Sequence, residues 1–203
     1  CPSFDINAVC SGFIYALDVS VQLFEKYEHI LVISTETYSK ITDWEDTNSC
    51  FFGDGAAAVI ISKSDTNNFV SEIGADGTGW EHFNCDRNST FQMNGKEVYK
   101  FGTNVLPTQI EKLLNYNKLS VDDIDWVIPH QGSGKAVNAY ITTGGFRKDR
   151  VINIVTKFGN CVAASVPMAL AKSIGENKIK RGDKILLIGT GAGLSAACAL
   201  INY

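Results

Sequence analysis

Cys10, His130 and Asn160 are the residues through which this sequence could do chemistry. A cysteine supplies a sulfur nucleophile, an imidazole polarises a carbonyl or shuttles a proton, and a carboxamide orients or donates a hydrogen bond. Such a set suits attack on a carbonyl carbon. Cys10 stands among Ala8, Ser11 and Gly12, after an apolar run and at the opening of a helical pattern. Small neighbours admit a substrate, and a helix N-terminus favours a thiolate. Taken alone, it equally fits a buried core thiol, the commoner fate of a free cysteine. His130 closes Val127-Ile128-Pro129, where a strand ends. Ligands gather beyond the carboxyl ends of strands in open α/β sheets, although a hydrogen-bonded structural histidine fits too. Asn160 follows Gly159 and precedes Cys161-Val162-Ala163-Ala164-Ser165, where it also reads as a cap or turn residue.

Two glycine-rich stretches carry weaker signals. Gly189-Thr190-Gly191-Ala192-Gly193 does not make a dinucleotide site, because only ten residues follow and no βαβ unit can be completed. It suits a tight turn between strands that could aim a backbone N–H at an oxyanion. Gly53-Asp54-Gly55 reads as a turn before a tightly packed strand.

Composition removes several function classes. With 203 residues, 45% of them hydrophobic, the chain can bury a large core and is not disordered. No apolar run approaches the roughly 18 residues of a transmembrane helix, so no membrane association is expected. The net charge of −4 and the scattered lysines argue against a nucleic-acid binder. Six cysteines lie at 1, 10, 50, 85, 161 and 198 without close spacing. With no basic and apolar leader in Cys1-Pro2-Ser3-Phe4-Asp5, reduced thiols and a cytoplasmic setting are expected. His29, His82 and His130 are unpaired with cysteine at ligand spacing, so no metal is expected.

The elements that must position these residues alternate between strands and helices. Phe4 to Ala8 reads as the end of a buried strand. Phe13, Ile14, Leu17, Val21 and Phe24 mark one face of a helix ending near Tyr27. His29 to Ser34 is an apolar run suited to a strand buried on both faces of a parallel sheet. Further strands are expected over 56–61 and near 69–73, the latter inside a polar stretch over 64–95 whose long loop after the strand is the boundary between halves. A helix then carries Leu106, Ile110, Leu113 and Leu114, with Pro107 kinking it or in its first turn. Strands at 124–128, 151–155, 184–188 and 194–201 and helices at about 135–143 and 162–174 complete the chain.

The pattern repeats. Tyr15-Ala16-Leu17 and Met168-Ala169-Leu170 lie 153 residues apart, each inside a helix with a small-residue first turn. The following strands, from His29 and from Lys184, lie 155 residues apart. Two βαβ halves in the same order indicate a duplicated α/β fold. The second half has a strand–helix unit ahead of its matching helix, and the first begins almost at its strand, so the first half reads as incomplete.

In order, Phe4-Asp5-Ile6-Asn7-Ala8-Val9-Cys10-Ser11-Gly12-Phe13, Phe52-Gly53-Asp54-Gly55-Ala56, Met93 to Phe101, Pro129-His130-Gln131, Gly159-Asn160 with Ala163 to Pro167, and Gly191-Ala192-Gly193 resemble the thiolase superfamily. They are most similar to the β-ketoacyl-acyl-carrier-protein synthase III family, almost end to end. The resemblance implies a thiolase-like layered αβαβα fold with duplicated βαβ halves. Residues 1–92 would be the remainder of the N-terminal half and 93–203 the C-terminal half. It implies an N-terminal segment outside this chain, and no turnover by these residues alone.

The resemblance further implies an acyltransferase that initiates fatty acid synthesis by a ping-pong course. Cys10 accepts an acyl group from a primer acyl-coenzyme A, which is a substrate rather than a cofactor. Malonyl-acyl carrier protein then enters, and His130 and Asn160 stabilise the enolate left by decarboxylation. The N–H groups of Cys10 and Ala192 form the oxyanion hole. Thiolases carry a second cysteine where Asn160 falls, and the asparagine suits decarboxylative condensation. Lys100 and Lys135 match basic positions that dock the acidic carrier protein, and a homodimer is implied for the complete protein. Asp46 stands where many members carry an arginine against the coenzyme A adenine, and Gly132-Ser133 replaces the usual Ala-Asn after His130-Gln131. The residues leave two rivals open: a secondary-metabolism acyltransferase and a cysteine-dependent thioester hydrolase.

Overall fold

The computed structural model describes residues 1–64 and 69–203. Residues 65–68, in the polar stretch that opens at 64, lie outside the described residues. The core is built around α1 (Gly12–Gln22) and α5 (Ser165–Gly175), whose apolar faces meet sheets on both sides. On one side lies an antiparallel pair, β1 (His29–Glu36) with β2 (Gly55–Ser62). On the other lies a four-stranded sheet in the order β3 (Phe69–Ala75), β8 (Ser195–Asn202), β7 (Lys184–Gly191), β6 (Trp126–Pro129). α2 (Gly95–Tyr116) and α3 (Gly134–Thr143) cover its far face. A short β4 (Phe83–Asn84) and β5 (Gln92–Met93) hairpin and a four-residue α4 (Val155–Phe158) fill the connections.

The central strand shows why the layers form. Along β7, Ile185 and Leu187 enter the core around α1 and α5, and Leu186 and Ile188 enter the one around α2 and α3. All four are fully buried. A strand covered on both faces must be apolar at consecutive positions. The expected layers are therefore present in the order β, α, β, α, four of the five.

The fifth layer, beside β1–β2, is absent among the described residues. The expectation that the His29–Ser34 run is buried on both faces in a parallel sheet is corrected. Among the described residues β1 pairs only with β2, antiparallel, helices cover one face alone, and Leu31, Ile33 and Ile60 are 58%, 59% and 72% exposed. Parallel pairing occurs between β6 and β7.

Three other elements differ from expectation. Phe4 to Ala8 makes no strand, because no described strand pairs with it, and Phe4 is exposed. The predicted strand 151–155 reduces to a single bridge from Val151 to Val127. Gln131 Oε1 takes the N–H groups of Ile154 (2.8 Å) and Val155 (3.1 Å), so the chain turns into α4 instead of extending the ladder. α2 begins eleven residues ahead of Leu106, where the Asn94 side chain caps the N–H of Glu97. Pro107 thus lies inside it, its lost hydrogen bond offset by burial of Leu106, Ile110, Leu113 and Leu114.

The repeat is visible in space. The 3-10 turn Val9–Ser11 leads into α1 as the 3-10 turn Val162–Ala164 leads into α5, again 153 residues on. Both turns begin with a valine at φ 46°, a conformation that costs a β-branched residue roughly 1–3 kcal/mol.

Leu187 touches the inner core at its centre. Leu187→Ala is expected to lower unfolding stability by about 2–5 kcal/mol in urea titrations, whereas Leu31→Ala on the bare face should cost well under half as much. Equal losses would contradict this assignment of layers.

Candidate active site

The two valine turns meet. Gly12, just after Cys10, faces Ala163 so closely that a Cβ there would lie 3.4 Å from the Ala163 Cβ. The Cys10 side chain is buried in a cluster with Tyr38, Phe83, Phe91 and Val162, against which Phe52, Met93 and Ala192 pack. Tyr38 stacks on Phe52 at 4.8 Å, and Phe52 tilts against Phe91 at 4.6 Å. Cys10 and Ala192, the expected oxyanion-hole residues, are thus neighbours. Ser195 ties their segments together: its Oγ lies 3.2 Å from Ala192 O, 3.3 Å from Ala8 O and 3.1 Å from Ser11 Oγ. The end of β7 presses on the turn, and a Cβ at Gly191 would lie 2.8 Å from the Cys10 nitrogen. Any side chain at 191 would cover that N–H.

Burial pushes the Cys10 thiol well above its ordinary range, and the Glu36 carboxylate adds to the shift. This corrects the expectation of a thiolate at a helix start. Cys10 precedes α1 inside a 3-10 turn, and desolvation outweighs the roughly 0.3–1 kcal/mol a helix terminus offers an anion.

His130 leaves the end of β6 with its N–H on Ile188 O at 2.6 Å. Its ring is buried, with Nδ1 2.8 Å from Ser165 Oγ. Ser165 donates its only proton to Val162 O (2.8 Å) and accepts the Gln131 N–H (3.3 Å). It therefore faces the imidazole as an acceptor, Nδ1 carries the ring proton, and Nε2 keeps its lone pair. Burial lowers the His130 pKa from 6.5 to about 4, partly countered by the Val162 backbone. At rest the thiol and the imidazole are both neutral.

Asn160 is buried and clamped by backbone on both sides: its N–H reaches Phe51 O (2.7 Å) and its carbonyl accepts the Gly53 N–H (3.0 Å). A Cβ at Gly53 would stand 2.4 Å from Phe158 O, so only glycine permits this approach. Asn160 Oδ1 accepts the Val162 N–H at 2.9 Å, which leaves the carboxamide NH₂ as a donor. The Val162–Ser165 segment thus meets all three predicted residues: it packs on Cys10, binds Asn160 Oδ1 and carries the serine that holds His130.

The remaining predicted positions lie apart from this centre. Lys100 on α2 and Lys135 on α3 are exposed, Lys135 with its Nζ 5.2 Å from the Tyr99 ring centre. Asp46 binds Asn48 and lines an acidic cleft of about 760 Å³ with Asp43, Glu81 and Lys96. Gly189 and Gly191 belong to β7, and the chain turns at 192–194. Ser165 and Gln131 were assigned no role from sequence. Both stood inside quoted motifs, but nothing in their spacing shows what they bind. Fully buried Gln131 also donates from Nε2 to Pro129 O (2.6 Å) and Ile152 O (3.2 Å), bracing the His130 loop.

Two family models match, one described as 3-oxoacyl-[acyl-carrier-protein] synthase III over residues 4–77 and the other as its C-terminal part over 114–203. A β-ketoacyl-[acyl-carrier-protein] synthase III of Wolbachia pipientis from Culex pipiens is 39% identical over 99% of this chain and 67% of its own length. The chain belongs to the synthase III family. It has the family's thiolase fold: the synthase III crystal structure from Aquifex aeolicus superposes with a TM-score of 0.94 at 36% identity, over 98% of this chain and 67% of that one. The priming β-ketosynthase of the R1128 polyketide pathway gives 0.93 at 28%, over 98% and 65%. The chain spans about two thirds of the length of the curated synthase III relatives it matches.

His130 makes stability depend on pH with a definite sign. Between pH 6.5 and about 4 the unfolded chain binds a proton that the buried imidazole does not. Stability therefore falls as pH drops through that window and levels off for this group below it, a loss of up to roughly 3 kcal/mol. His130→Gln should flatten urea-derived stability across the window. An unchanged slope would contradict the buried neutral imidazole.

Proposed function

We propose that the protein to which this chain belongs condenses an acyl-coenzyme A primer with malonyl-acyl carrier protein, releasing carbon dioxide and giving 3-oxoacyl-acyl carrier protein. The observation that carries this reading is the Val162–Ser165 segment, which meets the thiol, the carboxamide and the imidazole at once. Membership of the synthase III family supports the reaction class.

The residues suggest the following course. Cys10 gives its proton to His130 Nε2 as the sulfur attacks the primer thioester. The N–H groups of Cys10 and Ala192 hold the tetrahedral oxyanion, and the departing coenzyme A thiolate takes the proton back from His130. The malonyl thioester then accepts a hydrogen bond from Asn160 Nδ2 on its carbonyl oxygen. Its carboxylate leaves as carbon dioxide, the enolate carbon attacks the acyl-cysteine, and the departing Cys10 thiolate takes a proton from water. Neutral His130, with its proton on Nδ1, serves as an acceptor. It becomes a second donor to the enolate only while Nε2 is protonated, so Asn160 carries the greater part of that stabilisation.

Lys100 and Lys135 lie on neighbouring helices, as a docking face for an acidic carrier protein would require. A homodimer and a cytoplasmic setting go with the same reading. The likeness to a polyketide priming β-ketosynthase favours secondary metabolism as one alternative setting, and the residues also leave open an acyl transfer there without condensation.

A protein of the relatives' length is the material for the test. Cys10→Ala should abolish the acyl adduct seen by intact mass spectrometry. Asn160→Ala should slow carbon dioxide release from the malonyl thioester by about 10²–10³-fold, the effect of removing one donor to a developing oxyanion. Acyl transfer without a 3-oxoacyl product would favour the alternative. A rapidly hydrolysed adduct would point to a thioester hydrolase.

A further inference from the structure

The internal repeat sets Cys10 opposite Ala163 and Gly191 opposite Glu36, at offsets of 153 and 155 residues. The contacts follow the same correspondence. The end of β7 presses Gly191 on the Cys10 nitrogen, where the missing side chain leaves the N–H uncovered. The end of β1 sends Glu36 to the equivalent N–H, and its Oε1 accepts from Ala163 N at 3.2 Å. One half keeps its turn N–H for a substrate, and the other binds its own with a carboxylate.

That bond falls at the point on which the centre turns. Ala163 sits between Val162, whose N–H fixes Asn160, and Ser165, whose hydroxyl fixes His130. It lies in the 3-10 turn that leads into α5, as Cys10 lies in the turn that leads into α1. Val162 at φ 46° needs something to hold it. Titratable groups that feel the Glu36 charge are Cys10, Tyr38 and Cys161, the last of which also feels Asp54. Burial raises Cys10, Tyr38 and Cys161, and the Glu36 charge adds to all three.

We propose that Glu36 is a positioning residue of the condensing centre: its carboxylate accepts the Ala163 N–H and so anchors the Val162–Ala164 turn between the residues that hold Asn160 and His130. This rests on Cys10 being the nucleophile and deepens that reading.

Glu36→Gln keeps an acceptor for Ala163 N–H and removes the charge, whereas Glu36→Ala removes both. In the protein of the relatives' length, carbon dioxide release from the malonyl thioester is measured for both variants. Glu36→Gln should release it at close to the unmodified rate, and Glu36→Ala about tenfold more slowly. Undiminished release in Glu36→Ala, or release in Glu36→Gln as slow as in Glu36→Ala, overturns the proposal. If Glu36→Ala does not fold, Glu36→Asp, one methylene shorter, decides by the same measure: it should be slowed relative to Glu36→Gln, and equal rates overturn the proposal. Failure of unmodified Cys10 to take any acyl group would instead defeat the parent reading.

Discussion

A single serine hydroxyl, buried where two helical turns meet, fixes the protonation of the centre. Ser165 spends its proton on Val162 O and so presents only lone pairs to His130. The ring proton is held on Nδ1, and burial keeps a second proton off at neutral pH. The rest of the structure serves that constraint. β6 and β7 deliver His130 from a strand end, and Gln131 braces the loop behind it with side-chain bonds to Pro129, Ile152, Ile154 and Val155. The 51–53 segment clamps the Asn160 backbone so that its side-chain oxygen points back at the turn.

The duplicated architecture explains how one local structure comes to serve two purposes. Each half supplies a 3-10 turn opened by a valine at positive φ, a helix running back between the sheets, and a strand whose end meets the other half's turn. What differs is the residue at the strand end. Glycine at 191 keeps a side chain off the Cys10 nitrogen, and glutamate at 36 binds the equivalent nitrogen of Ala163. Equivalent backbones acquire unlike chemistry through one side chain.

Much of this was legible in the sequence because burial writes itself into composition. The Ile185–Ile188 run is apolar at every position because β7 is covered on both faces, and the repeat showed in matching helices and strands. Cys10, His130 and Asn160 stood out by residue type. What stayed hidden depends on partners distant in the chain. The 151–155 segment has strand composition, but Gln131 captures its N–H groups. His29–Ser34 has the composition of a strand covered twice, although only one face is covered by the described residues. Neither the role of Ser165 nor that of Glu36 could be read locally, since their partners lie 35 and 127 residues away.

The tautomer of His130 is the most direct measure of this account. Nitrogen NMR of imidazole-labelled protein, followed from neutral to acid pH, reports which ring nitrogen carries the proton and where the ring titrates. The account predicts the proton on Nδ1 and no titration until about pH 4. A proton on Nε2, or a midpoint near the ordinary 6.5, would contradict it.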